Sequence, residues 1–349
     1  VLKIGSLQID VPFVQAALSG YSDYPMRRLA RRHGAVYTLS EARLDRLIIQ
    51  PGRKRKQILD VPQDDHPVGA QLLGADPDEF ARAAAALADT GFDAIDINFG
   101  CPVRKVLGRH RGGFLLSEPD QALAIVRSVF AAVGSTHPVT VKMRRGTDES
   151  PDARRNVLKI LDGAFEIGVS AVAMHPRTVK QRYVGPSDWS FLAWIKEHVQ
   201  DRVILGSGDL FSAEACVRML RETGVDGVTL ARGCIGNPWI FEECVALWRG
   251  DPMPPPPSIG CQREAIREHH ADLVDQYGPD RAAKILRRFG IKYSEHHPLA
   301  RSVRDAFIAV RRPDDIEQVI ERWYDPQGDW PPVRRRERHG DLVAAGARP

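Results

Sequence analysis

What this chain lacks bounds it first. Its five cysteines, Cys101, Cys216, Cys234, Cys244 and Cys261, are odd in number and widely spaced, and no Cys-x-x-Cys pair occurs. That argues against a disulfide framework or a zinc ribbon and fits a reducing, cytoplasmic location. No apolar run approaches the roughly 18 to 20 residues of a membrane span, so no membrane partner is expected. The first residues, Val1-Leu2-Lys3-Ile4-Gly5, lack the layout of a signal peptide. The adjacent pairs His269-His270 and His296-His297 point apart on a helix, and no metal is expected. No Gly-x-Gly-x-x-Gly turn follows the first strand, which weighs against an open, doubly wound sheet.

What is there is an alternation. The 349 residues, 43% hydrophobic and 27% charged, suit a soluble globular protein with one large α/β domain and a smaller one. Apolar, β-branched runs at 13–17, 36–39, 68–72, 94–98, 139–143, 171–175, 203–206 and 227–231 read as strands covered on both faces. Helical patterns lie between them, at 76–91, 118–134, 152–167 and 212–223, several ending at glycine. Eight strand-helix units in about 250 residues predict a closed (β/α)8 TIM barrel, an α/β fold, over residues 1–250. Five prolines between 252 and 257 predict a linker at 251–258. Patterns at 261–277, 280–293, 298–310 and 314–323 predict a small all-helical domain over 259–324. A loosely ordered tail is expected at 325–349.

In such a barrel, chemistry comes from the C-terminal strand ends and the loops beyond them. Those ends carry Ala17-Leu18-Ser19-Gly20, Glu41, Gln71, Asn98 with Cys101, Lys142 with Arg144, His175 with Arg177, Gly206-Ser207-Gly208-Asp209 and Ala231-Arg232-Gly233. Any one could be a satisfied polar residue, and Cys101 alone reads equally well as a small buried hydrophobe. Polar groups at nearly every end argue for an occupied pocket. Glycines after the seventh and eighth strands, with Arg232, suit a phosphate. Lys142 and His175 would then face a ring system. This suits FMN, whose reduced isoalloxazine is anionic and needs a nearby cation.

Charge is concentrated rather than excessive. The net charge is only +4, yet residues 43–56 hold six cations against Asp45 alone. Residues 281–312 hold nine against Glu295 and Asp305. The loop after Cys101 adds Arg104, Lys105, Arg109 and Arg111. Several separate basic segments suggest a nucleic-acid partner if the fold gathers them on one side.

At this point the motifs become familiar. Asn98-Phe99-Gly100-Cys101-Pro102-Val103-Arg104-Lys105-Val106 resembles the signature of the tRNA-dihydrouridine synthase family. So do Val141-Lys142-Met143-Arg144-Arg145-Gly146, His175-Pro176-Arg177-Thr178 with Gln181, Tyr183, Gly185, Asp188 and Trp189, and Ala231-Arg232-Gly233 with Gly236-Asn237-Pro238-Trp239. The resemblance implies an FMN oxidoreductase that uses NADPH to reduce specific uridines of tRNA to 5,6-dihydrouridine. Hydride would reach C6 of the uracil, and Cys101 would give a proton to C5. The implied cofactor set is Ala17, Leu18, Gln71, Lys142, His175, Ser207, Gly208, Asp209, Ala231, Arg232 and Gly233. The implied substrate set is Asn98, Arg104, Lys105, Arg144 and Arg177. A monomer is expected, with tRNA and NADPH as partners, although no NADPH fingerprint is visible.

The sequence departs from the family pattern in places. Ala16-Ala17-Leu18 stands where Ala-Pro-Met is usual, Ser207 where Asn is frequent, Ala42 where Met is frequent, and Phe114 where a small residue is usual. Two other readings compete. A dihydroorotate-dehydrogenase-like enzyme would share the barrel, the Lys and the Cys but act on a free pyrimidine, and would not need the basic helices. A catalytically lost RNA-binding barrel would not need Cys101, Lys142, His175 and Arg232. The remaining cysteines read as packing residues. The tail Arg334-Arg335-Arg336-Glu337-Arg338 is expected to add nothing.

Overall fold

The computed structural model of the chain describes residues 1–333 and 335. The basic tail at Arg334 and Arg336 to Arg338, and the side chains of Arg53 and Lys54, lie outside the described residues. The described part divides into two compact units. The first comprises Val1–Ser22, Val36–Leu210 and Glu214–Ala231, and the second Asp23–Ala35, Phe211–Ala213 and the chain from Arg232 onward.

The first unit opens with a hairpin, β1 (Leu2–Ile4) and β2 (Leu7–Ile9), paired antiparallel with Leu2 opposite Ile9. Its turn uses Gly5 at φ +59, and a Cβ there would run into Ser170 and Pro138. Nine strands follow: β3 (Phe13–Gln15), β4 (Tyr37–Leu39), β5 (Arg43–Leu44), β6 (Val68–Leu73), β7 (Ala94–Phe99), β8 (Val139–Arg144), β9 (Ala171–His175), β10 (Ile204–Gly206) and β11 (Gly227–Leu230). All pair in parallel. β11 pairs with β3 and β4 pairs with β6, so eight strands close on themselves while β5 remains a short appendage of β6. This is the expected TIM barrel.

The strands alternate inward and outward residues. Leu2, Ile4 and Ile9 of the hairpin join Val14, Tyr37, Leu39, Ala94, Ala171, Ala173 and Leu205 in one apolar cluster. Gly69 is needed there, because a Cβ would lie 2.5 Å from Leu39 Cδ2 and closer still to the Tyr37 hydroxyl. Toward the other end the inward positions turn polar. Gln71 stands opposite Asp96 and Asp96 opposite Thr140, while Asn98 stands opposite Lys142.

The expected helices form at Pro77–Ala88, Pro119–Val133, Pro151–Ile167 and Ala213–Thr223. Asp76 caps the first of these, accepting the N–H groups of Asp78 at 3.0 Å and Glu79 at 2.9 Å. Ser150 caps the third, which stops at Gly168 in the left-handed region, φ +118. The helix Trp189–Val199 follows β9.

The second unit is helical: Tyr24–Arg32, Ile240–Arg249, Ile259–Tyr277, Pro279–Tyr293, Ala300–Ala309 and Pro313–Trp323. The first of these, although it follows β3 in sequence, groups here through Arg28–Asp272 at 2.6 Å and Arg32–Glu268 at 2.7 Å. At the centre, buried His269 meets the Tyr293 hydroxyl at 2.9 Å and packs edge-on against Phe289. Gly290 lets the Phe307 ring lie on the helix backbone. Beyond Trp323 the chain turns, and Trp330 donates to the Asp325 carbonyl at 2.7 Å. Among the described residues, no helix is long and apolar enough to cross a membrane.

Candidate active site

β7 delivers the thiol. Its last turn is capped from within: Asn98 Oδ1 accepts the N–H of Gly100 at 2.9 Å and of Cys101 at 3.0 Å. The chain then makes a helical turn, Arg104–Leu107, and folds back so that the Gly113 N–H meets the Cys101 carbonyl at 3.0 Å. That return requires Gly112, at φ +58, because a Cβ there would lie 2.9 Å from Cys101 Cβ. Cys101 is half-buried. Burial pushes its thiol up from the ordinary value, against the opposing pull of the Val103 N–H and the Arg144 charge. Burial thus favours the protonated thiol over the thiolate.

Below the loop runs a ladder of directed hydrogen bonds. Asn98 Nδ2 donates to Gln71 Oε1 at 2.7 Å, and Gln71 Nε2 donates to Asp96 Oδ2 at 2.6 Å. Thr140 Oγ1 donates to Asp96 Oδ1 at 2.5 Å. Asp96 and Thr140 form no motif. The only sequence signal for them is the two-residue alternation that puts Asp96 on the same face as Asn98.

Beside the ladder, Lys142 Nζ lies 3.5 Å from Ser207 Oγ. Burial lowers the lysine from its ordinary 10.5 to about 8; Asp96 opposes the fall and Arg144 adds to it. Ser207 Oγ also lies 3.4 Å from His175 Nδ1. His175 is held well below its usual range, chiefly by burial and further by Arg144, Lys142 and Arg177, so it is neutral near pH 7. Its Nε2 is buried without a hydrogen-bond partner among the described residues. A buried polar atom with nothing to bond is costly, and a ligand that bonds it removes the cost.

Two buried arginines brace the surrounding loops. Arg144 donates from Nε to the Gly100 carbonyl at 2.8 Å and from Nη1 to the carbonyls of Thr178 and Arg182 at 3.1 and 2.8 Å. Its guanidinium lies over the Tyr183 ring. Arg177 donates to Asp209 Oδ2 at 2.5 Å and to the Gly185 carbonyl at 2.6 Å. Asp209 also accepts the Ser187 N–H at 2.8 Å. Gly208, at φ +110, leaves room that a Cβ would take from Ser187 and His175.

The family model described as dihydrouridine synthase matches residues 14–325. This chain belongs to the dihydrouridine synthase family. It is 34% identical over 333 residues to a probable tRNA-dihydrouridine synthase of Mycobacterium tuberculosis, covering 92% of this chain and 84% of that protein. It is 32% identical over 324 residues to tRNA-dihydrouridine synthase B of Xanthomonas campestris pv. campestris, covering 93% and 96%. Among solved structures, morphinone reductase in complex with tetrahydroNAD superposes with a TM-score of 0.52 at 13% identity, over 73% of this chain and 91% of that one. That likeness concerns the barrel fold alone.

Within this family member, hydrogen bonds link Gln71, Asn98 and the Cys101 backbone in one set and Lys142, Ser207 and His175 in another, and Asn98 stands opposite Lys142 in the sheet. Arg144 and Arg177, expected to meet substrate, bond mainly to backbone carbonyls and to Asp209. Asp209, expected at the cofactor, is the partner of Arg177. Leu18 donates its N–H to Ser22 Oγ at 2.8 Å within a turn after β3, and Ala17 packs against the barrel's apolar cluster. Gly20 in that turn donates to Glu41, which also receives Arg43. Ala231 ends the first unit. Arg232 and Gly233 begin the second in the short turn Arg232–Cys234, with the Arg232 guanidinium over the Phe211 ring at 5.2 Å. Phe114 stacks on His110 at 4.4 Å. Arg104 and Lys105 are exposed, with no side-chain ion pair among the described residues.

Proposed function

We propose that this chain reduces uridine in tRNA to 5,6-dihydrouridine, with FMN as its bound cofactor and NADPH as the reductant. The observation that carries the reading is the thiol of Cys101 on its braced loop, with Lys142 and the unpartnered His175 Nε2 on the next two strands. The donor set fits a flavin. Lys142 offers a buried cation suited to negative charge on a ring, and His175 Nε2 needs a partner. Gly208 permits close backbone approach. Gln71, Lys142, His175, Ser207 and Gly208 would hold FMN.

When bound and reduced by NADPH, FMN supplies the hydride taken up at C6 of the uracil. Cys101 supplies the proton that C5 takes up, so the C5–C6 double bond gains one hydride and one proton. Asn98 holds the loop that presents the thiol. Arg144 stabilises negative charge that develops on Cys101 as its proton leaves. The uridine must leave its stack to reach this depth, which costs a few kcal/mol, roughly, and favours a flexible site in the tRNA.

The polyanion is met by charge. Arg104, Lys105 and Arg109 are exposed beside the thiol. On the second unit, Arg281, Lys284, Arg301 and Arg304 are exposed as well. A free pyrimidine needs none of these, which disfavours the dihydroorotate-dehydrogenase-like reading. The test is to load the protein with FMN, reduce it with NADPH, and add tRNA lacking dihydrouridine or orotate. Reoxidation by the tRNA, with dihydrouridine found by mass spectrometry, is expected. Reoxidation by orotate alone would defeat the proposal.

A further inference from the structure

Asp96 is fully buried inside the barrel, where an ionised carboxylate is expensive and an apolar residue would pack at less cost. What it does there follows from the direction of the bonds above it. The backbone N–H groups of Gly100 and Cys101 can only donate, so Asn98 must turn its oxygen to them. Its amide nitrogen then faces Gln71, which must present oxygen to Asn98 and nitrogen to Asp96. The far end of this ladder must therefore be an acceptor. A carboxylate is an acceptor on both oxygens, and Asp96 takes Gln71 on one and Thr140 on the other. A neutral amide in its place could face either way, and the reversed ladder would turn an amide nitrogen toward the Cys101 N–H.

We propose that Asp96 is a positioning residue for the Cys101 thiol. By terminating the ladder in an acceptor, it fixes the orientation of Gln71 and Asn98 and so holds the backbone of the Cys101 loop. The inference rests on Cys101 as the proton donor in uridine reduction, but the geometry it asserts is independent of that chemistry. The competing role is counter-charge to Lys142. That role predicts no change at the thiol loop, so the two are separable.

The experiment reads the loop directly. The FMN-loaded full chain is treated with iodoacetamide, and alkylation of the Cys101 peptide is timed by mass spectrometry, apart from the exposed Cys261. Wild type is compared with Asp96→Asn, Asn98→Ala and the double variant. Losing one net hydrogen bond corresponds to about fivefold, so each single variant should expose Cys101 and raise its alkylation rate by roughly that factor. The double variant should react no faster than Asn98→Ala alone, because Asp96 acts through Asn98. Wild-type reactivity in Asp96→Asn, or effects that multiply in the double variant, would overturn the proposal. Should Asp96→Asn fail to fold, Gln71→Met, which cuts the ladder between Asp96 and Asn98, takes its place in the cycle under the same criteria. Failure of the catalytic reading would show elsewhere, as a Cys101→Ala enzyme that still makes dihydrouridine.

Discussion

The guanidinium of Arg144 meets the carbonyl of Gly100 at 2.8 Å, one residue ahead of the Cys101 thiol. Its other bonds reach Thr178 and Arg182, so one buried cation joins the loop after β7 to the loop after β9. Burial lowers Arg144 to about 10, still charged at neutral pH. Lysine keeps the charge but cannot reproduce the planar fork. Arg144→Lys should cost about 1 to 3 kcal/mol in urea unfolding, from carbonyls left unpaired. It should also lower turnover on tRNA while FMN stays bound. An unchanged midpoint and unchanged turnover would show that the brace is dispensable.

The arginine nearer β10 makes a similar prediction. Arg177 is buried and pairs with Asp209, a non-glycine residue held at φ +58. Removing one partner of a buried pair strands the other. Because Asp209 is partly open to water, Arg177→Met should cost about 3 kcal/mol, the low end of the roughly 3 to 5 kcal/mol lost when a buried pair is broken. Chemical denaturation measures it. A loss within experimental error would mean that water already satisfies Asp209.

Lys142 gives a pH signature in the protein without cofactor. The folded chain holds this proton less tightly than the unfolded chain, about 8 against 10.5. The unfolded state therefore binds more protons between those values, and stability attributable to Lys142 rises with pH across that window. Below pH 8 the full penalty is present, on the order of 3 kcal/mol. Lys142→Met should thus be more stable than wild type at pH 7, with the advantage shrinking to nothing near pH 10.5. A constant difference across that range would mean that the lysine is not desolvated.

Arg104 and Lys105 separate docking from chemistry. Each phosphate contact removed lowers the slope of log affinity against log salt by about one. Arg104→Ala with Lys105→Ala should reduce that slope for tRNA and raise KM, leaving kcat close to wild type. An unchanged slope would place the tRNA backbone elsewhere.

The barrel was legible because its eight strands are apolar, β-branched runs bracketed by glycine and helix caps. Strands β3, β6, β9 and β11 fall within two residues of their expected ends. The hairpin β1–β2 was not legible, since three-residue strands carry too little pattern to distinguish from loop. The helix Tyr24–Arg32 was not singled out in the sequence, and it groups with the second unit, where Arg28 pairs with Asp272 and Arg32 with Glu268. At the site, the strand-end positions of Gln71, Asn98, Lys142 and His175 followed from the predicted strands and from the family motifs. The roles of Asp96, Arg144 and Arg177 did not. Those depend on the register between β6, β7 and β8 and on loop carbonyls, which no local pattern encodes.

Delivery of the proton to C5 by Cys101 is read out in a single turnover of FMN-loaded enzyme, reduced beforehand and mixed with tRNA that lacks dihydrouridine. Cys101→Ala should retain its flavin and its tRNA affinity while dihydrouridine formation slows by about 10² or more, the usual worth of a positioned acid. Dihydrouridine forming at the wild-type rate in that variant would contradict it.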